Sequence, residues 1–346
     1  LNLLTQSVIT FNIIIGTLIT ASSHHWLMAW TGLELNMLSI LVIIMKPKHP
    51  RAAEAAIKYF LTQAIASTMI MFSSTINAIQ TGQWNILQMT EKYACMILLL
   101  ALTMKIGAAP LYFWLPEVMQ GTTTMTALVI ATWQKIAPIT IMFMTHNNLP
   151  PKMTATIGIT SAIIGGWGSI NQTQLRKLMA YSSITNLGWT LVIFSVSPHT
   201  ATLNLAMYIT MLIPTFMLIK TMNMKTLKDA TTTWTTSPMA STLLALMLLS
   251  LSGLPPLTGF TPKLLILNEL VTQNLTPIAT TMAMTSLISL FFYIRTTYIT
   301  TMTTPPIMSP ATMKWRLTTP KQKFMTTLIP VSLMIMPLMP TLTAMT

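Results

Sequence analysis

Apolar residues along the chain fall into long runs that short polar or proline-containing segments separate. A helix needs about 20 mostly apolar residues to cross the hydrocarbon core of a bilayer. Eleven runs reach roughly that length when 238–272 is counted as one interrupted crossing. The predicted crossings are 3–21, 26–45, 56–79, 94–116, 123–145, 153–170, 175–197, 200–222, 238–272, 276–298 and 324–343. The pattern therefore predicts an all-α integral membrane protein.

The composition indicates the same class. Hydrophobic residues make up 52% of the 346 positions and charged residues only 7%, whereas a soluble domain carries roughly 25% charged residues. Nineteen basic residues against six acidic ones give a net charge of +13, a balance that would indicate a nucleic-acid partner in a soluble chain. Here the basic residues lie mostly between apolar runs, so the predicted partner is the lipid bilayer and not nucleic acid.

The distribution of basic residues tests the number of crossings. We call the side reached after the second crossing side B. Fourteen basic residues fall on side B, namely Lys46, Lys48, Arg51, Lys58, Arg176, Lys177, Lys220, Lys225, Lys228, Arg295, Lys314, Arg316, Lys321 and Lys323. Only Lys92 and Lys152 fall on the opposite side. The positive-inside rule makes side B the inside, with the N-terminus inside and the C-terminus outside.

Two predicted crossings, 94–116 and 238–272, are interrupted, and they lie five crossings apart. Because five is an odd number, a second five-helix unit would be inverted relative to the first. Transporters often place their sites at paired broken helices of such inverted repeats. We predict one transmembrane domain over 1–346, with a first five-helix repeat at 1–145, a second, inverted repeat at 153–298, and a basic loop with a C-terminal helix at 299–346.

Some charged residues lie inside apolar runs. They are Glu34, Lys105, Lys135 and Lys263. A charge at the centre of a membrane helix costs roughly 2.5–3.5 kcal/mol on insertion scales. Snorkelling or a buried salt bridge would explain some of them, but a single Lys–Glu pair accounts for only two. Burial without a counter-ion disfavours the charged form of an amine, so such a lysine can exchange a proton near neutral pH. These residues are therefore candidates for a proton relay.

Helix-breaking residues accompany each of these lysines. They are Gly107, Pro110, Pro138, Pro255, Pro256 and Pro262. A proline inside a helix leaves the carbonyl four residues back without its donor, which predicts free carbonyls at Ile106, Gln134 and Ser252. Unwound backbone at membrane depth persists only where it is buried in protein or lines a wet cavity. An ordinary kink would not explain why a charge lies beside each break.

Cysteine and histidine, the residues that most often hold metals, iron–sulfur clusters and haem, are few in this sequence. Cys95 is the only cysteine, which excludes a disulfide framework, a cysteine-based zinc site and a protein-held iron–sulfur cluster. No nucleotide-binding loop occurs, and the histidines lie at or near the ends of apolar runs. We predict no metal and no cofactor in this chain, so partners must supply the energy for proton movement.

Several stretches together resemble a known family, and the resemblance runs over nearly the whole chain. They are Leu33-Glu34-Leu-Asn36, Glu54-Ala-Ala-Ile-Lys58-Tyr-Phe-Leu-Thr-Gln63, Trp114-Leu-Pro-Glu117, Trp133-Gln-Lys135, Asn171-Gln-Thr-Gln-Leu-Arg-Lys177 and Leu254-Pro-Pro-Leu-Thr-Gly-Phe-Thr-Pro-Lys263. They resemble the subunit 2 family of mitochondrial NADH:ubiquinone oxidoreductase (respiratory complex I), one of its antiporter-like families. The resemblance implies an antiporter-like fold of inverted five-helix repeats with two broken helices.

The resemblance also implies roles and partners. By position, Glu34 and Lys105 match the interacting carboxylate–lysine pair of the family, Lys135 the central relay lysine, and Lys263 the residue that completes the path. Partner subunits would bind NADH, FMN, iron–sulfur clusters and ubiquinone, and the neighbours in the membrane arm would include other antiporter-like subunits. The expected location is the mitochondrial inner membrane, with the N-terminus in the matrix and the C-terminus in the intermembrane space.

One departure from the family pattern is visible at the first broken helix. The family often has a histidine after the proline there, whereas this chain reads Pro110-Leu-Tyr-Phe-Trp114. This puts in doubt a direct proton role for that position.

Alternative functions remain open at this point. A free-standing cation/proton antiporter of the same fold would use the same lysines, and a structural spacer would retain buried charges without using them. A receptor is disfavoured because the sequence has no sizeable extramembrane domain.

Overall fold

The computed structural model describes residues 3–303, 323–334 and 337, and helices form nearly all of this part of the chain. The helices are α1 (Leu3–Ser22), α2 (Trp26–Met45), α3 (Pro50–Thr81), α4 (Lys92–Ile106), α5 (Trp114–Gly121), α6 (Thr124–Ala131), α7 (Ile136–Thr145), α8 (Pro151–Ser169), α9 (Leu175–Phe194), α10 (Pro198–Thr221), α11 (Leu227–Thr236), α12 (Pro238–Ser252), α13 (Phe260–Thr272), α14 (Thr276–Met302) and α15 (Lys323–Met334). The prediction of an all-α protein is confirmed for the described residues.

Within the described residues, six helical segments are long and apolar enough to cross a membrane. They are Leu4–Ser22, Trp26–Met45, Pro50–Thr81, Thr124–Thr145, Pro198–Thr221 and Thr276–Met302. The predicted crossings at 94–116 and 238–272 each form two shorter helices, because glycine and proline interrupt them. Most of the predicted basic loop, and the end of the last predicted crossing, lie outside the described residues. The membrane class is established, and the total of eleven crossings stays a prediction.

The two interrupted crossings break in the same way. Gly107 caps the C-terminal end of α4, and Gly253 caps that of α12. Both glycines adopt left-handed backbone, with φ of 84° and 83°. Glycine adopts this conformation without the steric cost that a Cβ atom imposes. The segments 107–116 and 253–262 share the spacing Gly-x-x-Pro-Leu-x-x-aromatic-x-Pro. The separation of the glycines, 253 − 107 = 146 residues, is close to the length of one predicted repeat.

A third, milder break divides the crossing at 123–145. Helix α6 ends at Ala131, a 3₁₀ turn covers Trp133–Lys135, and α7 continues to Thr145. Pro138 has no N–H to offer the carbonyl of Gln134, so the regular helical ladder cannot pass through this point. The break therefore lies three to six residues before the proline that causes it.

The connections between helices gather at two ends of the bundle. At the end that we call the basic end, the Leu175 amide donates to the Lys225 carbonyl at 3.1 Å, and the Arg295 guanidinium donates to the Ile170 carbonyl. At the other end, the amide of Ile86 donates to the carbonyl of His24 at 3.0 Å. The grouping agrees with the predicted sides, since the connections at the basic end carry side B residues.

Helix α11 lies in a connection at the basic end and did not appear among the apolar runs. Its capping box pairs the Thr226 hydroxyl with the Asp229 amide, and the Asp229 carboxylate with the Thr226 amide. Partial burial acts to raise the pKa of Asp229, but hydrogen bonds from Thr226 and Lys225 outweigh it and hold that pKa below its usual range. Asp229 is thus a structural cap at a helix end.

Helices α8 and α9 approach closely at the centre of the bundle. A Cβ atom at Gly188 would lie 2.7 Å from the Ala162 amide nitrogen and 2.7 Å from the Gly158 carbonyl oxygen. Small residues at helix contacts allow backbones to approach in this way, as is common in membrane bundles. The close contact fixes α9, which carries serine and tryptophan side chains toward the buried lysines.

Candidate functional site

The structure buries all three candidate lysines and places each one at a helix break. Lys105 lies in the last turn of α4, Lys135 in the 3₁₀ turn between α6 and α7, and Lys263 near the start of α13. Their exposed fractions are 3%, 2% and 8%. The fourth candidate, Glu34, is half-buried in the middle of α2. Snorkelling to the membrane surface is therefore excluded for the lysines.

Lys263 binds the backbone that Pro256 leaves unpaired. Its ammonium donates to the Ser252 carbonyl at 2.7 Å, and this is the carbonyl that the sequence predicted to be free. Its Nζ atom also lies 5.8 Å from the ring centre of Trp189, within the range of a cation–π contact. Lys263 thus caps the C-terminal end of α12, and its side chain still carries a titratable amine.

We expect the Lys263→Met variant to lose both the hydrogen bond to Ser252 and the titratable amine. The Lys263→Arg variant should keep the hydrogen bond and lose only the exchangeable proton. Methionine leaves the buried Ser252 carbonyl without a donor, which costs about 1–3 kcal/mol, so we expect less assembled protein. Arginine can donate to the same carbonyl but does not release its proton. We therefore expect Lys263→Arg to assemble at a level closer to the unsubstituted chain and still to lose proton translocation. Assembly is measured on native gels and translocation in vesicles; full translocation by the arginine variant would contradict the relay role.

Lys135 is buried without a hydrogen-bond partner among the described residues. Its Nζ atom lies 5.4 Å from the ring centre of Tyr208. The hydroxyls of Tyr208 and Tyr293 are also buried without a hydrogen bond of normal geometry, and Ser182 on α9 lies beside both of them. Buried polar groups are nearly always hydrogen-bonded in proteins. Lys135 therefore lies beside a buried cluster of hydroxyl groups on α9, α10 and α14.

Glu34 and Lys105 are near each other but do not form a direct ion pair within 4.0 Å. The Glu34 carboxylate acts electrostatically on both Lys105 and Tyr59. Tyr59 accepts a hydrogen bond from the side-chain amide of Gln134, the residue next to Lys135. A polar connection thus leads from the surroundings of Lys105 to the turn that carries Lys135.

Two further acidic residues, Glu54 and Glu117, form ion pairs with Lys58 and not with the three buried lysines. Glu117 pairs with Lys58 at 2.6 Å, and Lys58 also contacts Glu54 at 2.5 Å. All three side chains are well exposed, with 40–63% of their surface accessible. Phe113, which follows the first helix break, is 65% exposed. Tyr112, the other residue that stands near the family's histidine position, is half-buried and packs against the apolar core.

Four polar residues of the site were not singled out from the sequence. They are Tyr59, Gln134, Tyr208 and Tyr293. Two of them, Tyr59 and Gln134, lie inside stretches that carry the family resemblance, which was the available signal. Lone tyrosines on α10 and α14 give no such signal, because membrane helices carry many tyrosines with no role in ion movement.

The described residues contain no group of three or more His, Cys, Asp or Glu side chains that would suit a metal ion. Cys95, on α4, is buried and free.

Comparisons with known proteins give a consistent result. Residues 23–289 match the family model described as NADH:quinone oxidoreductase/Mrp antiporter, transmembrane. The chain is 47% identical to NADH-ubiquinone oxidoreductase chain 2 of Varanus melinus, over 99% of this chain and 100% of the relative. The fold is similar to a chain of respiratory complex I from Thermus thermophilus, with a TM-score of 0.78, 22% identity, and coverage of 95% of this chain and 78% of that one. It is also similar to a chain of the Mrp complex from Dietzia sp. DQ12-45-1b, with a TM-score of 0.79, 15% identity, and coverage of 86% and 61%.

Proposed function

The chain belongs to the NADH-ubiquinone oxidoreductase chain 2 family, within the NADH:quinone oxidoreductase/Mrp antiporter family, and on that premise we propose that it translocates protons in the membrane arm of a respiratory NADH:ubiquinone oxidoreductase. The observation that carries this proposal is the burial of three lysines, each at a helix break, inside a membrane protein. Buried charges in membrane helices are rare and commonly mark proton or ion pathways.

The proposed relay begins at Glu34 and Lys105. The carboxylate stabilises the charged lysine when the two groups approach, and a change elsewhere in the complex that separates them releases the proton of Lys105. The proton then passes to Lys135 through the Tyr59 hydroxyl and water held by polar side chains and free carbonyls, while the Gln134 amide orients that hydroxyl by donating to it. No direct ion pair holds Glu34 and Lys105 together, which leaves their separation adjustable.

The second part of the proposed relay runs from Lys135 to Lys263. The ring centre of Tyr208 lies 5.4 Å from the Lys135 Nζ atom, and the Tyr208 hydroxyl lies beside Ser182 on α9. Helix α9 continues from Ser182 to Trp189, whose ring centre lies 5.8 Å from the Lys263 Nζ atom. Serine and tyrosine hydroxyls both donate and accept hydrogen bonds, so they can pass a proton without changing their own net charge. In this proposal α9 forms the shared wall between the two lysines.

The proposal also covers the number of membrane crossings, the repeats and the sides on which the termini lie. We propose eleven crossings, with repeats at 1–145 and 153–298, and the matching breaks at Gly107 and Gly253 support this division. The excess of basic residues on side B supports an N-terminus in the matrix and a C-terminus in the intermembrane space of the mitochondrial inner membrane.

Partner subunits supply the energy in this proposal. Moving one elementary charge across the membrane costs about 2.3 kcal/mol per 100 mV, and the sequence contains no nucleotide loop or redox centre to provide it. We propose that partners bind NADH, FMN, iron–sulfur clusters and ubiquinone, and that adjacent antiporter-like subunits pass the effect of quinone chemistry to Glu34 and Lys105.

A cation/proton antiporter is the second candidate, because the fold is also similar to a chain of the Mrp complex. Gentle solubilisation of native membranes, followed by isolation of the particle that contains this chain, separates the two functions. NADH-dependent quinone reduction by a large multi-subunit particle is the result expected from our proposal. Recovery in a small, redox-silent particle would favour the antiporter and overturn the respiratory role.

A further inference from the structure

A large cavity lies at the basic end of the bundle, among connections between helices and away from the proposed relay. Its volume is about 710 Å³, within the range of about 300–1,000 Å³ that is usual for small-molecule sites. Its lining includes four basic side chains and no carboxylate. The four are Arg51, Arg176, Lys220 and Lys225.

Specific contacts build the walls of this cavity. A Cβ atom at Gly121 would lie 2.7 Å from the Arg51 carbonyl oxygen, so the end of α5 rests directly on the start of α3. The half-buried Arg176 guanidinium donates to the Thr122 carbonyl. A backbone bridge between Gln174 and Thr226 holds Lys225 beside the start of α9. The cationic groups therefore come together through the fold of four separate chain segments.

Nearby carboxylates offset only part of the positive charge of the cavity: Asp229 acts on Lys225 and Glu54 acts on Arg51, and neither carboxylate lines the cavity. Asp229 directs its carboxylate to the backbone amides of Lys225 and Thr226, at 3.0 and 2.9 Å. Glu54 and Glu117 both contact Lys58, outside this cavity. Like charges that line one cavity with no carboxylate between them repel one another. An anion bound between them would remove that repulsion, and Arg and Lys side chains are the usual ligands of phosphate groups.

We propose that this cavity binds a phosphate group, supplied by the headgroup of an anionic phospholipid. The cavity lies where α3, α6, α9 and α10 begin or end, which is the level of the lipid headgroups beside membrane-spanning helices. Basic pockets between such helices, on the side of the membrane that the positive-inside rule marks, suit the headgroups of anionic lipids. Free phosphate carries the same chemistry and is the other source that the experiment separates.

The test uses the intact complex that contains this chain, in nanodiscs of phosphatidylcholine with a small fraction of photoactivatable phosphatidylglycerol. We expect crosslinks within 120–124 or 174–177, and none from a photoactivatable phosphatidylcholine probe. The Lys220→Gln/Lys225→Gln variant should reduce labelling about tenfold, because it removes two charged donors to phosphate. Both lysines are exposed, and their side chains form no hydrogen bond or ion pair within 4.0 Å in the described part of the chain, so this variant should assemble normally.

The matched control is Lys152→Gln/Lys228→Gln, which removes the same charge from exposed positions that do not line the cavity. Its labelling should equal that of the unsubstituted chain. Equal loss in both double variants, or full labelling of Lys220→Gln/Lys225→Gln, would overturn the proposal. Labelling that millimolar inorganic phosphate displaces would retain the phosphate site and assign it to the free ion. Labelling that phosphate does not displace would assign it to the lipid.

Discussion

Replacing Lys135 by methionine is expected to reduce proton-coupled NADH oxidation by about 100-fold, since a positioned proton-transfer group contributes roughly 10²–10⁴-fold to a rate. The same change should leave assembly intact or improve it. The Lys135 ammonium is buried without a hydrogen bond to any described residue, and methionine has a similar length without the charge. Replacing a buried ion by a well-packed apolar group is often neutral or stabilising.

The control for this prediction is Lys152→Met, at an exposed position in the first turn of α8. It should match the unsubstituted chain in both assembly and turnover. A structural spacer predicts the reverse pattern for Lys135→Met, with reduced assembly and normal turnover per assembled complex. Native gels and NADH-driven proton uptake in vesicles measure the two quantities separately. Normal proton uptake by assembled Lys135→Met would exclude the proposed relay.

Gly259→Ala is expected to have the largest effect on assembly. A Cβ atom at this position would lie 1.8 Å from the carbonyl oxygen of Ser250 and 2.9 Å from its carbonyl carbon. Both are backbone atoms of α12, so relief requires α12 and α13 to separate at the break that positions Lys263. Overpacking commonly lowers the free energy of unfolding by about 1–3 kcal/mol. We expect Gly259→Ala to reach or exceed the upper end of that range and to lose most of the assembled subunit.

Gly82→Ala is the matched control for Gly259→Ala. Gly82 caps α3 with a φ of 70°, and no atom lies within 4 Å of a Cβ built there. The substitution should cost only the left-handed backbone penalty of about 1–2 kcal/mol. The amount of assembled complex and its melting temperature compare the two variants. Equal assembly of both would contradict the close contact between α12 and α13.

The hydropathy pattern predicted the helices well, because the length of a membrane crossing and the rarity of charge constrain it strongly. Helices α1, α2 and α10 begin and end within a few residues of the predicted runs. Helix α11 was missed because its sequence, with five threonines in ten residues, is neither apolar nor long. Its stability comes from its cap and from packing against neighbouring helices, which hydropathy does not report.

The candidate site was predicted in part. The lysines could be identified because charged residues are rare inside apolar runs. The Ser252 carbonyl, which Lys263 binds, could be identified because a proline leaves the carbonyl four residues before it without a donor. The contact between Lys135 and Tyr208 was not predictable, since it joins a 3₁₀ turn to α10 across 73 residues (208 − 135 = 73). The link from Tyr59 to Gln134 spans 75 residues. Contacts at such separations depend on how helices pack, and one sequence does not contain that information.

The helix breaks also supply fixed counter-charge. The free carbonyls at the C-terminal end of a helix carry a partial negative charge of about half an electron, and this macrodipole favours a cation there by about 0.3–1 kcal/mol, rising toward 2 kcal/mol at partly buried sites. Lys105 lies in the last turn of α4, Lys135 follows the end of α6, and Lys263 binds the end of α12. Lys263 therefore binds the negative pole of α12, and Lys105 lies at the negative pole of α4. Lys135 lies between the C-terminal end of α6 and the N-terminal end of α7, where the two helix dipoles oppose each other. A membrane interior with few carboxylates can hold positive charge at Lys105 and Lys263 in this way, because the backbone itself provides a compensating field.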